Sequence, residues 1–237
     1  MILAKTVIEP LDVLRTALAR GLARLGILPG TLTLLGLPVS LASAVLFARG
    51  HFRWGATAIL LSGACDLLDG SVARLTGRTS HFGAFLDSSI DRYSDAVVYA
   101  GVIFYYLGEG EPLQVYLGVS ALVGALLVSY TRARAECLIE SCRVGFFERP
   151  ERLVLLMLGA FFHHMLTALW ILGTLTHWTV LGRIHHTWRT LSGRTAPPSN
   201  TLRGQLYHIL FWDFDRGSIQ FDVLATVVAL CGAFLKV

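Results

Sequence analysis

Six stretches of the chain are apolar for close to the ~20 residues needed to cross a bilayer. They run over 31–49, 54–75, 82–107, 113–137, 150–168 and 170–189, the last two joined tightly around His163–Leu169. Ahead of them Leu11, Leu14, Leu18, Leu22 and Leu25 recur at three- and four-residue steps, while Arg15, Arg20 and Arg24 occupy other faces. That is the period of an amphipathic helix. It is read as lying in the cytoplasmic membrane interface, an ordinary amphipathic helix packed on the protein being the alternative. Charged residues interrupt this N-terminus and no small-residue cleavage site follows an apolar core, so no signal peptide is expected. After the sixth stretch, Ser192-Gly193 and Pro197-Pro198-Ser199-Asn200 mark a loop over 191–216. The apolar tail Ile219–Leu235 carries Asp222 and leaves a seventh span, an interfacial helix and a packing segment all open. The pattern predicts an all-α integral membrane protein. An interfacial helix covers 1–28, a six-transmembrane-helix bundle 29–190, and a loop with an apolar segment 191–237.

Composition agrees: the chain of 237 residues is 54% hydrophobic and 15% charged, against about 25% charged in an average soluble domain. Placement of charge then orients it. Arg74 and Arg78 flank the second-to-third turn; Arg132, Arg134, Arg143, Arg149 and Arg152 crowd the fourth-to-fifth connection; Arg189, Arg194 and Arg203 follow the sixth helix. The third-to-fourth connection has Glu109 and Glu111 and no Lys or Arg, with Arg49 and Arg53 a minor exception elsewhere. The positive-inside rule puts these arginine-rich connections in the cytoplasm of a multi-pass cell-membrane protein. Four cysteines (Cys65, Cys137, Cys142, Cys231) form no CxxC pair. The neighbours His163-His164 and His185-His186 point about 100° apart on a helix and make no convincing metal site. No P-loop or GxGxxG fingerprint occurs, and no nucleic-acid partner is expected.

The chemistry lies in residues 66–91, where Asp66, Asp69, Asp87 and Asp91 interrupt an apolar stretch. An ionised Asp within a bilayer costs several kcal/mol and marks a functional site by default. Four of them need a compensating cation. Hard oxygen donors suit Mg²⁺ or Mn²⁺, one ion or two, better than zinc. Asp66 and Asp69 are i,i+3 and Asp87 and Asp91 are i,i+4, so each pair follows one helix face. With helices ending near Leu75 and restarting near Phe82, Asp69 and Asp87 stand roughly 8–9 Å from the turn, at matched depth. Gly70 and Gly83 cost ~1 kcal/mol each inside helices, a reasonable loss where a ligand or another backbone approaches. Arg74, i+4 from Gly70, can reach a phosphate with its fork of donors.

A second cluster reads Ser129-Tyr130-Thr131-Arg132-Ala133-Arg134-Ala135-Glu136, then Glu148-Arg149-Pro150-Glu151-Arg152, with Pro150 suited to the first position of the fifth helix. These arginines are either solvated charges of a positive-inside loop or, with Arg183 of the sixth helix, an anion pocket for a phosphorylated substrate.

The sequence Asp66-x2-Asp69-Gly70-x2-Ala73-Arg74-x8-Gly83-x3-Asp87-x3-Asp91 matches the signature of the CDP-alcohol phosphatidyltransferase family at every position. The chain resembles that family over most of residues 1–190. Its RARAE and ERPER segments look most like the branch making phosphatidylinositol or phosphatidylinositol phosphate. The resemblance implies transfer of a phosphatidyl group from CDP-diacylglycerol to a polar alcohol, inositol 1-phosphate or inositol, with release of CMP. It implies Asp66, Asp69, Asp87 and Asp91 as metal ligands, with Asp91 also the general base. Gly70, Ala73, Arg74 and Gly83 would take the CDP-lipid; Arg132, Arg149 or Arg152, and Arg183 would take the acceptor phosphate. Asp95, a turn beyond Asp91, is either a support for the site or a polar residue in a helix interface. A homodimer among membrane lipids is also implied. The family usually shows Pro-Asn-x-x-Thr near the first span; here Pro29-Gly30-Thr31-Leu32-Thr33 lacks the Asn. Glycerol 3-phosphate, as in phosphatidylglycerophosphate synthases, is the alternative acceptor. A cation-coupled transporter is the alternative from another class, and its broken helices and inverted repeats are not evident in the sequence.

Overall fold

The computed structural model describes Val13, residues 15–142 and residues 144–193. The predicted loop over 194–216, the tail, Leu11, Leu14 and Arg143 lie outside the described residues. Among the described residues all regular structure is helical. A short helix α1 covers 15–24. It is followed by α2 (Pro29–Ala48), α3 (Phe52–Leu75), α4 (His81–Gly108), α5 (Pro112–Glu136), α6 (Arg149–Phe161) and α7 (Met165–Leu191). Four of these, α2, α3, α5 and α7, are long and apolar enough to cross a membrane. The chain divides into two units, residues 1–105 and 106–237.

Helix ends follow one recurrent device. At Gly26, Gly50, Gly77 and Gly110 the backbone turns to positive φ just past a helix. At each of them the next residue's N–H bonds back five residues, as from Arg78 to the Ala73 carbonyl at 3.0 Å, the Schellman closure. The α6–α7 junction uses the same back-bond, His164 N–H to the Gly159 carbonyl at 2.8 Å, but with His163 at φ 60°. A side chain in that region costs roughly 1–2 kcal/mol. This corrects the predicted limits 150–168 and 170–189. The helix breaks over residues 162–164, at the N-terminal edge of the predicted His163–Leu169 junction, where a histidine takes the place glycine holds elsewhere. At 13 residues, α6 is about 20 Å long, short of the ~30 Å hydrocarbon core.

In the first unit, α2 packs on α3 through small residues and hydroxyls. Ser40 and Ser62 hydroxyls lie 2.9 Å apart, Ser62 donates to the Gly36 carbonyl at 3.1 Å, and Ser43 to the Gly55 carbonyl at 2.8 Å. Small-residue contact and interhelical hydrogen bonds are what join helices where lipid removes the hydrophobic drive. The α4 backbone meets α2 at Gly101, where a Cβ would lie 2.3 Å from the Ala44 carbonyl oxygen. α1 packs through buried Ala19, with Leu22 and Ala23 half-buried, against Leu32 and Val72. Leu18 and Leu25 stay exposed. The leucine stripe is thus divided between the protein and the outside.

In the second unit, α5 and α6 both pack on α7. Ser120 donates to the Gly173 carbonyl at 2.9 Å and faces His177 Nε2 at 3.2 Å. The α5–α6 connection buries Cys142, Val144, Phe146 and Phe147. Buried backbone of this kind needs partners for its carbonyls, and the arginines described below supply them.

Candidate active site

The site is built around the turn joining α3 to α4. Gly77, at φ 64°, reverses the chain, and the Ser80 hydroxyl accepts the Gly83 N–H at 2.9 Å, capping the start of α4. The turn brings three carboxylates together: one oxygen each from Asp66, Asp69 and Asp87 lies within 4.8 Å of the other two. At that separation each ionised pair repels by roughly 3 kcal/mol for an effective dielectric near 20. Asp69 is only 6% exposed and Asp66 and Asp87 are half-buried, so water screens them incompletely. A divalent cation relieves this repulsion, and an all-oxygen donor set fits Mg²⁺ or Mn²⁺. Asp91, half-buried one turn further along α4, is not among those three, and Asp95 beyond it is buried.

Beside the carboxylates lies a pocket of about 450 Å³, whose walls include Asp69, Asp87, Gly70, Ala73, Arg74 and Gly83. The structure therefore gathers all four residues read as CDP-lipid contacts around one cavity with two of the aspartates. The glycines have distinct reasons. A Cβ on Gly70 would stand 3.5 Å from Arg74 Nη1, ordinary contact, so the room there adjoins the guanidinium. A Cβ on Gly83 would stand 3.0 Å from the Ser80 hydroxyl, against the cap itself. Arg74 is exposed and its Nη2 donates to Ser71 at 3.3 Å. Sequence reasoning passed over Thr33 and Arg78, both of which line the pocket. Thr33 Oγ1 donates to Asp69 Oδ2 at 2.5 Å. Its place in Pro29-x-x-x-Thr33 is the signal the sequence carries for it.

The four predicted acceptor arginines all belong to the second unit. Arg132 is 37% exposed; its Nε donates to Glu136 at 3.0 Å and its Nη1 to Glu148 Oε1 at 2.9 Å. Arg183, 1% exposed, reaches the same Glu148 oxygen at 3.3 Å, and donates to the carbonyls of Val144 (3.0 Å) and Val128. Arg152, 2% exposed, donates to the Phe147 carbonyl at 3.1 Å. Arg149 is half-buried at the start of α6, with Glu148 as N-cap, so Pro150 takes the second helical position rather than the first. Arg152 and Arg183 thus anchor the buried connection, and Glu148 ties Arg132 to Arg183. Burial raises the Cys142 thiol in that connection above its usual pKa, with Arg183 partly opposing.

Comparison with known proteins agrees with this geometry. The sequence model of the CDP-alcohol phosphatidyltransferase family matches residues 26–184. Phosphatidylinositol phosphate synthase of Mycobacteroides abscessus is 36% identical over 197 residues, covering 79% of this chain and 89% of that protein. Archaetidylinositol phosphate synthase of Methanothermobacter thermautotrophicus is 36% identical over 166 residues, covering 68% and 83%. Among solved structures, Mycobacterium tuberculosis phosphatidylinositol phosphate synthase with CDP-DAG bound superposes with a TM-score of 0.68 at 34% identity, covering 73% of this chain and 93% of that one. The same enzyme in complex with manganese and citrate gives 0.70 at 34% identity, covering 81% and 99%. With three of its four signature aspartates clustered beside a pocket, this chain belongs to the CDP-alcohol phosphatidyltransferase family.

Proposed function

We propose that the protein transfers the phosphatidyl group of CDP-diacylglycerol to a hydroxyl of inositol 1-phosphate, or of inositol, releasing CMP. The observation that carries this is the clustering of Asp66, Asp69 and Asp87 oxygens within 4.8 Å at a pocket that Arg74 also lines. Phosphoryl transfer needs charge neutralisation at the diphosphate and in-line positioning more than covalent chemistry. Asp66, Asp69 and Asp87, with Asp91, would hold the Mg²⁺ or Mn²⁺; when bound, the cation neutralises charge on the phosphates and on departing CMP. Gly70, Ala73 and Gly83 leave space for the nucleotide, and the exposed fork of Arg74 pairs with its phosphates. Asp91 takes the proton of the acceptor hydroxyl. The freed oxygen bonds to the lipid-linked phosphorus, the anhydride P–O bond breaks, and its electron pair leaves with CMP. The acceptor phosphate is received at the cluster of Arg132, Arg149, Arg152 and Arg183, with Arg132 the member open to it and buried Arg152 and Arg183 holding the connection around it.

The six helices α2–α7 make the membrane domain over 29–190, in a multi-pass cell-membrane protein whose site faces the cytoplasm. The arginine-rich connections support that orientation, and α1 would ride at the interface through exposed Leu18 and Leu25. A homodimer is expected from the family. The test is CMP release by purified protein with CDP-diacylglycerol and Mg²⁺, comparing inositol 1-phosphate, inositol and glycerol 3-phosphate. Release that depends on an inositol acceptor supports the proposal. Dependence on glycerol 3-phosphate would reassign it as a phosphatidylglycerophosphate synthase, and no release with any acceptor would overturn the reading.

A further inference from the structure

Asp69 is the most buried of the three clustered aspartates, and one of its hydrogen-bond partners comes from a different helix. Thr33 sits in the first turns of α2, 36 residues before Asp69, and its hydroxyl donates to Asp69 Oδ2 at 2.5 Å. The same hydroxyl lies 3.3 Å from the Pro29 carbonyl. One proton serves one acceptor well. The shorter contact to an ionised oxygen is the stronger by about twofold, so the hydroxyl belongs to Asp69. Thr33 is β-branched, which restricts its χ1, and it is half-buried on the pocket wall.

We propose that Thr33 is a positioning residue for the cation centre: it holds Asp69 Oδ2 and fixes the plane in which the Asp69 carboxylate is presented to the ion. This rests on the reading of the aspartates as metal ligands. Carboxylates that hold metals are themselves commonly held by hydrogen bonds, and losing such a partner typically costs 10–100-fold in affinity. The bond also ties the start of α2 to the aspartate-bearing end of α3, so that the pocket wall and the cation centre are set by one contact. A purely structural hydroxyl would affect stability and leave metal affinity unchanged.

The experiment is titration of Mn²⁺ followed by electron paramagnetic resonance, on the full chain in detergent without CDP-lipid. Native protein, T33V, T33A, T33S and D69N are compared, with a melting curve for each. T33V removes the hydroxyl at nearly constant volume, and T33A removes it without the valine methyl. The expected result is Mn²⁺ affinity about 10–100-fold weaker in T33V and T33A, and near-native affinity in T33S, which keeps the donor. Native affinity in a folded T33V or T33A would overturn the role of Thr33 while leaving the metal centre intact. Native protein binding Mn²⁺ no better than D69N would overturn the metal reading, and this inference with it.

Discussion

Asp91 separates the two jobs assigned to the aspartates. It stands one turn from Asp87 on α4, outside the group of three whose oxygens lie within 4.8 Å, a position compatible with a base that must stay within hydrogen-bond reach of an incoming hydroxyl. Asp91→Asn is expected to lower turnover at least 10²–10⁴-fold, about the range for losing an acid–base group, while largely sparing CDP-diacylglycerol binding. CMP release and equilibrium lipid binding measured on the same preparation check this; retained turnover would take the base role from Asp91. At this scale the aspartates were legible because i,i+3 and i,i+4 spacing around a glycine turn constrains geometry locally. Thr33 was legible only as a member of Pro29-x-x-x-Thr33; its bond to Asp69, spanning 36 residues, leaves no local pattern. Nor did the sequence distinguish an arginine holding buried carbonyls, as Arg183 does at Val144, from one held open for an anion.

Between elements, glycine contacts set how closely helices approach. At Gly101 an added methyl would meet the Ala44 backbone at 2.3 Å, whereas at Gly63, inside α3, nothing lies within 4 Å. Gly101→Ala should therefore destabilise by at least ~1–3 kcal/mol, the usual cost of overpacking. Gly63→Ala should gain up to about 1 kcal/mol from helix propensity. Melting temperatures of both variants in one detergent provide the check; equal behaviour would contradict the α2–α4 contact. The helix order was readable from hydropathy, and the α3–α4 turn from Thr76–Ser80 fell within a residue of its place. The α6–α7 break lies at the N-terminal edge of the His163–Leu169 junction, and the segment limits missed it because His163, at φ 60°, sends none of the signal that Gly26, Gly50, Gly77 and Gly110 send. A buried α5–α6 connection was also hidden, since its Phe146-Phe147 pair looks like loop-edge hydrophobicity until Arg152 is seen to satisfy the Phe147 carbonyl.

For the molecule as a whole, the placement of charge predicts an orientation. Cys137 caps the arginine-bearing end of α5 and is exposed. With Cys65, Cys142 and Cys231 replaced by serine, a membrane-impermeant maleimide should label Cys137 in inside-out vesicles and not in intact cells. The reverse pattern would place the arginine-rich connections outside the cytoplasm and contradict the positive-inside assignment. Family membership was legible at this scale as well, because eight signature positions fall within 26 residues and the matched region runs over 26–184. The choice of acceptor rests instead on arginines whose engagement depends on long-range contacts such as Arg183 to Glu148. The reaction as proposed turns on a divalent cation held by the aspartate cluster, which makes CDP-diacylglycerol transferable. Its most direct test is CMP release from CDP-diacylglycerol with inositol 1-phosphate, before and after metal removal by chelation. Release should stop on chelation and return with Mg²⁺ or Mn²⁺; release that continues without metal would remove the cation from the reaction.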